Sequence, residues 1–218
     1  KKQENTKVED IVLVIIDKWH NENQSLHKES RIVYPKGSIL CHRQYGSKDV
    51  LLPPPCLYKS VWFSGLSSLG WEWATKGLLH QKLFGANSGA WWPVARFQKV
   101  VNPDNISFHV DDINNFQMSG TYFQAIGAIS VGKGTYIAQN VGIITANHDL
   151  LNLDRHSEAK PVSIGERCWI GMNSVILPGV TLGPVTVVGA GSVVTKSFPE
   201  GYCVIAGNPA RIVRRISV

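Results

Sequence analysis

Residues 146–163 contain Asn147, His148, Asp149, Arg155, His156 and Glu158, side chains able to exchange protons or hydrogen bonds. An unperturbed imidazole titrates at about 6.5, so a histidine in such company suits proton transfer to or from a weak nucleophile. A second group is cationic. Arg211, Arg214 and Arg215 crowd the C-terminal end, and the 218 residues carry a formal net charge of +6. That balance favours an anionic partner, and a phosphate-rich cofactor, an acidic lipid surface and nucleic acid all have the required sign. No RNP, zinc-finger or helix-turn-helix pattern accompanies the arginines, which sets nucleic acid aside. Cys41, Cys56, Cys168 and Cys203 form no C-x-x-C pair and no evenly spaced framework. Neither a structural zinc site nor a disulfide scaffold is expected, and a reducing cytoplasm fits.

The element that must hold these groups emerges from an internal period. Ile164, Ile170, Ile176, Leu182, Val188 and Val194 place an aliphatic residue at every sixth position without a miss. The following residues are Gly165, Gly171, Leu177, Gly183, Gly189 and Thr195. The four glycines are expected at tight corners that need a permissive backbone. Two positions before each aliphatic stand Val162, Cys168, Ser174, Val180, Thr186 and Ser192, all small or β-branched. The pattern predicts a coil with three short faces per turn, aliphatics inside, and successive turns stacked at the strand spacing of about 4.8 Å. Val131, Ile137 and Ile143 continue the register upstream. Ile143 and Ile164 are 21 residues apart, three more than three hexapeptides, so the chain must leave the coil and return. Residues 146–163 are therefore a loop on a rigid scaffold, where chemistry tends to sit.

Residues 1–107 lack the hexapeptide register and hold six of the seven tryptophans: Trp19, Trp62, Trp71, Trp73, Trp91 and Trp92. Residues 51–56, with Pro53, Pro54 and Pro55, predict an extended connector. Residues 71–84 predict a helix, with Ala74, Leu78, Leu79 and Leu83 at helical spacing and Gly85 as its stop. Such a helix would pack on the end or flank of the coil; tryptophans beside lysines also suit a weak membrane-surface association. The early apolar run at 11–16 is flanked by Asp10 and Asp17 and is far short of the roughly 18 residues of a membrane span. With no leader pattern either, the expectation is a cytoplasmic protein, at most peripheral to the inner face of a membrane. Two domains are expected, 1–107 and 108–218.

Five segments then carry a family resemblance: Asn147-His148-Asp149; Cys168-Trp169-Ile170-Gly171-Met172-Asn173; Ile176-Leu177-Pro178-Gly179-Val180; Val188 to Lys196; and Ala206-Gly207-Asn208-Pro209-Ala210-Arg211. Over residues 108–218 the chain resembles the hexapeptide-repeat acyltransferases, whose members include galactoside, maltose, serine and surface-polysaccharide O-acetyltransferases. The resemblance implies a mainly β fold, a left-handed parallel β-helix, although parallel crossovers are otherwise right-handed. It implies homotrimers with each active site in the cleft between neighbouring coils, acetyl-CoA as co-substrate and no metal. His148 matches the family's general base, with Asn147 and Asp149 beside it as substrate contacts. Trp169, Gly171, Ala190, Thr195, Lys196, Arg211 and Arg214 match positions along the cofactor. The N-terminal half lacks the helical region of serine acetyltransferases, and the loop looks closer to capsule, exopolysaccharide or lipopolysaccharide enzymes, so the expected acceptor is a hydroxyl of a sugar or surface-polysaccharide precursor. The alternatives are N-acetylation of an amino sugar, a zinc-dependent carbonic-anhydrase-like site drawing on His109, His148 and His156, and a non-catalytic β-helix scaffold.

Overall fold

The computed structural model describes residues 57–65 and 67–217; the apolar run at 11–16 and the triple-proline connector lie outside the described residues. Fourteen short strands among them form three sheets. The first sheet contains β1 (Lys99–Val101), β3 (Tyr122–Gln124), β6 (Gly142–Ile144), β9 (Val175–Ile176) and β12 (Val193–Val194). The second contains β2 (Ile106–Ser107), β4 (Ile129–Val131), β7 (Val162–Ile164) and β10 (Thr181–Leu182). The third contains β5 (Tyr136–Ile137), β8 (Trp169–Ile170), β11 (Thr186–Val188), β13 (Cys203–Gly207) and β14 (Ala210–Arg215). From β3 to β12 the chain visits the sheets in rotation, and every pairing is parallel except β13 with β14, which runs antiparallel. This is a triangular parallel β-helix.

The six-residue period is the side-chain alternation of each short face. Ile164 stands over Leu182, Ile170 over Val188 and Ile176 over Val194, eighteen residues per turn. All six aliphatics are buried, as are the six small residues two positions before them. Stacking begins upstream of the clear register, at β1, where Val100 pairs with Phe123.

The glycines after the aliphatics work differently from the expectation. Gly165, Gly171, Gly183 and Gly189 do not adopt positive φ. They are small because the adjacent turn is too close: a Cβ at Gly171 would lie 2.6 Å from the Val188 carbonyl oxygen, and one at Gly183 2.1 Å from that of Pro199. The left-handed corners fall instead three residues after seven of the nine core aliphatics, at Gly134, Asn140, Arg167, Asn173, Gly179, Val185 and Gly191. Glycine and asparagine tolerate that conformation; a β-branched residue such as Val185, at φ 55°, does so only under strain.

Upstream of the coil, α1 (Leu69–Leu78) continues as a π-helical turn (Leu79–Leu83) before Gly85, at φ 71°. The wide turn carries buried Gln81, whose amide nitrogen donates to the Trp92 carbonyl (3.0 Å) while its oxygen accepts from the Val94 N–H (3.1 Å). These bonds satisfy backbone groups that burial would otherwise leave unpaired. Trp92 is buried against Phe108 and Phe116, and Phe116 against Phe123 in the first complete turn of the coil. The aromatic cluster thus extends the aliphatic core beyond its N-terminal end. The described tryptophans of this segment are all buried or half-buried, and among the described residues no helix is long and apolar enough to cross a membrane.

Candidate active site

The excursion between β6 and β7 folds back on itself as an irregular hairpin. The Asn147 carbonyl accepts from both the backbone N–H (2.8 Å) and the hydroxyl (3.0 Å) of Ser157. The Asp149 N–H donates to the Arg155 carbonyl (2.9 Å). His148 and His156 face each other across the pair, with ring centroids 4.6 Å apart and planes tilted by 30°. Asp149 caps the tip, its Oδ1 accepting from the N–H groups of Leu151 (2.8 Å) and Asn152 (3.0 Å). It therefore shapes the loop, and the partner of the His148 ring is elsewhere.

That partner is the Leu153 carbonyl, 2.7 Å from His148 Nδ1. A carbonyl oxygen can only accept, so Nδ1 carries a proton, and in the neutral imidazole Nε2 is then the nitrogen with the free lone pair. The ring is exposed, leaving that lone pair open to an acceptor from outside. Leu150, Leu151 and Leu153 are exposed beside it, Leu151 to 99%.

The cofactor candidates divide between two edges of the prism. Thr195 and Lys196 follow β12 at the same corner from which the loop departs, below Thr145 and Leu177. Both are exposed, and the Lys196 ammonium lies 5.7 Å from the centre of the Phe198 ring. The others belong to the third sheet. Pairing there aligns Tyr136, Trp169, Val187, Val204 and Arg214 in one row. Tyr136, Trp169 and Arg214 are exposed, so the row faces outward, and its three strand steps from Trp169 to Arg214 span roughly 14 Å. At the adjoining corner Gly171 bonds to the Val188 carbonyl and Gly189 to that of Ile205, and Ala206 next to Ile205 pairs with Arg211. Small residues thus run down this edge toward a second arginine. Ala190 lies exposed one position past Gly189. Tyr136, Val187, Val204, Gly189 and Ala206 were not among the sequence candidates, although extending the eighteen-residue register from Trp169 and Gly171 reaches Val187 and Gly189.

Within one chain the loop histidines and the Trp169–Arg214 row are not brought together. The loop leaves between the first and second sheets, while the row occupies the third.

Two features lie apart from both. Asp112 is buried, and burial pushes its carboxyl up to about 6 against the Gly134 N–H, which donates to both its oxygens at 3.0 Å, with His109, Asp111 and Lys133 nearby. A cavity of about 450 Å³ opens between α1 and the segment before β1, lined by Trp73, Lys76, His80, Arg96 and Gln117 among others. Among the described residues no three His, Cys, Asp or Glu side chains converge as a metal site, and Cys168 and Cys203 are buried free thiols.

A three-sheeted coil with a core residue every sixth position defines a hexapeptide-repeat protein, and the comparisons agree. The family model described as the hexapeptide repeat of succinyl-transferase matches residues 161–196. Among solved structures, a maltose O-acetyltransferase from Clostridium difficile 630 is 39% identical, covering 45% of this chain and 54% of that one, with a TM-score of 0.43. A hexapeptide-repeat acetyltransferase of Vibrio cholerae, solved with acetyl coenzyme A, is 31% identical over 46% of this chain and 56% of that one, also at 0.43. The acetyltransferase WcaF of Escherichia coli, named for colanic acid biosynthesis, is 33% identical over 138 residues, 61% of this chain and 71% of that protein. The chain belongs to the hexapeptide-repeat acetyltransferase family, and its coil is the left-handed β-helix of that family. It spans about half the length of another relative, the acetyltransferase YJL218W of Saccharomyces cerevisiae, at 42% identity over 93 residues and 46% of that protein.

Proposed function

We propose that the protein transfers an acetyl group from acetyl-CoA to a hydroxyl of a sugar or surface-polysaccharide precursor, with His148 as the general base. The observation that carries this reading is the bond from His148 Nδ1–H to the Leu153 carbonyl, which in the neutral imidazole makes Nε2 the basic nitrogen of an exposed residue. A sugar hydroxyl is a poor nucleophile at neutral pH, and removal of its proton during attack is the assistance it needs. Acetyl-CoA supplies the thioester, whose carbonyl carbon gains a bond to the acceptor oxygen as its bond to sulfur breaks. His148 Nε2 takes the hydroxyl proton as the new C–O bond forms and returns it to the departing thiolate. No acyl-enzyme is required. The resemblance to WcaF, named for colanic acid biosynthesis, supports the polysaccharide acceptor.

The third sheet fits a long, thin co-substrate with an anionic end. Tyr136 and Trp169 begin the row, buried Gly171 and half-buried Gly189 and Ala206 line the adjoining corner, and Arg211 and Arg214 supply positive charge at the far end. Because His148 stands on a different edge, a site that uses both is completed by a second copy of the chain, and the assembly proposed is a homotrimer. The exposed leucines beside His148 offer the apolar surface that such a neighbour would cover.

The test is thiol release from acetyl-CoA against a panel of sugars, amino sugars and nucleotide sugars. Turnover with a hydroxyl acceptor is expected, and His148→Ala should lower it by about two to four orders of magnitude with the melting temperature unchanged. Near-normal turnover in the variant removes His148 from the chemistry, and transfer to amines alone replaces the hydroxyl reading with N-acetylation.

A further inference from the structure

We infer that His156 is a positioning residue for His148, holding its imidazole in the one orientation and tautomer in which Nε2 can act as a base. The inference rests on the reading of His148 as that base. A histidine side chain has two soft torsions, and an exposed ring on a loop would sample several rotamers. Here two contacts remove that freedom. The Leu153 carbonyl fixes the Nδ1 edge at 2.7 Å, and the His156 ring covers one face at 4.6 Å with a 30° tilt. A single hydrogen bond still permits the ring to swing about the N–H to O axis. The stacked neighbour blocks that swing on one side.

His156 is itself held in register from both sides, by the Arg155 carbonyl accepting from Asp149 and by Ser157 bonding twice to the Asn147 carbonyl. The loop therefore presents the two rings as a cross-strand pair. In this role His156 contributes its face, so any flat aromatic ring should serve, and its own nitrogens take no part.

The experiment compares wild type with His156→Ala and His156→Phe. In protein labelled with 15N-histidine, two-bond proton–nitrogen correlations report which His148 nitrogen carries the proton, independently of any acceptor. Wild type and His156→Phe should show predominantly the Nδ1–H form, and His156→Ala a marked shift toward the Nε2–H form that imidazole prefers in water. In thiol release with acetyl-CoA, kcat of His156→Ala should fall about three- to tenfold, the scale of a lost aromatic pair. Its KM for acetyl-CoA should be unchanged, and His156→Phe should restore kcat. An unaltered tautomer in His156→Ala overturns the inference. So does a Phe variant as impaired as the Ala variant, since that would require a nitrogen at position 156. His148→Ala is the control that separates the two readings: if it stays active the base assignment fails, while the tautomer measurement still judges whether His156 orients the ring. Should His156→Ala fail to fold, a wild-type spectrum lacking the Nδ1–H form of His148, or a Phe variant that loses it, gives the same refutation.

Discussion

Replacing Gly171 with alanine would set a methyl carbon 2.6 Å from the Val188 carbonyl oxygen and 2.7 Å from the Ala190 nitrogen. Ordinary contact begins at 3.4 Å, so neighbouring turns must separate by about 0.8 Å at that corner. The carbonyl that would be displaced is also the acceptor of the Gly171 N–H, at 2.9 Å. Overpacking with loss of hydrogen-bond geometry costs about 1–3 kcal/mol. At about 2–4 °C per kcal/mol for a chain of this size, the melting temperature should fall by roughly 2–12 °C. Gly142→Ala is the internal control: there the nearest atoms, on Val175, lie 3.7 Å away and φ is not positive. It should melt within about 2 °C of wild type, as a substitution without a clash does. Differential scanning calorimetry of the three proteins decides the matter. Equal melting of Gly171→Ala and wild type would refute the claim that inter-turn contact, and not the cofactor alone, demands glycine at this position.

Other expectations follow from the same geometry. Val185→Asn relieves a β-branched residue from left-handed backbone and should raise stability by about 1 kcal/mol; an unchanged urea midpoint would show that the corner is unstrained there. The Asp112 carboxyl, raised from 3.8 to about 6 in the fold, is favoured when protonated. Its contribution is therefore complete below about pH 3.8 and is lost as pH rises through about 6, by on the order of 2–3 kcal/mol. Asp112→Asn should flatten that part of the stability–pH curve and be the more stable protein at pH 8, which urea titrations at pH 4 and pH 8 will check. Arg214→Glu should raise KM for acetyl-CoA about three- to tenfold with little change in kcat, an effect that fades with added salt. Leu150→Ser combined with Leu151→Ser should reduce the solution mass measured by light scattering from that of the proposed homotrimer to that of one chain; a variant that keeps the wild-type mass would place the interface elsewhere.

The coil was legible because its repeating unit is local. Ile164 to Val194 announce the core at a fixed spacing, and the small residues two positions earlier report the crowding beside it. The glycines were found for the wrong reason, since Gly171 and Gly183 answer to backbone eighteen or so residues away, and a local reading sees only the chain's own torsions. The true corners at Arg167, Asn173 and Val185 had no common residue type to reveal them. His148 could be singled out because it stands where the period breaks, but its orientation depends on the Leu153 carbonyl, and a main-chain oxygen leaves no mark on the sequence. The row from Trp169 to Arg214 also escaped notice. Its last step depends on the reversal of direction at β14 and the irregular register near Val204 and Ile205, neither of which a six-residue count anticipates.

That reversal bears on self-association. A stack of parallel turns ends in a row of unused hydrogen-bonding groups that could template another chain, and repeated addition would yield a fibre. By doubling back, β14 meets any newcomer with a strand running the wrong way to continue the spiral on that side. Three arginines at its margin add mutual repulsion between like ends, so the same charges proposed to greet a phosphate also discourage the protein from polymerising with itself.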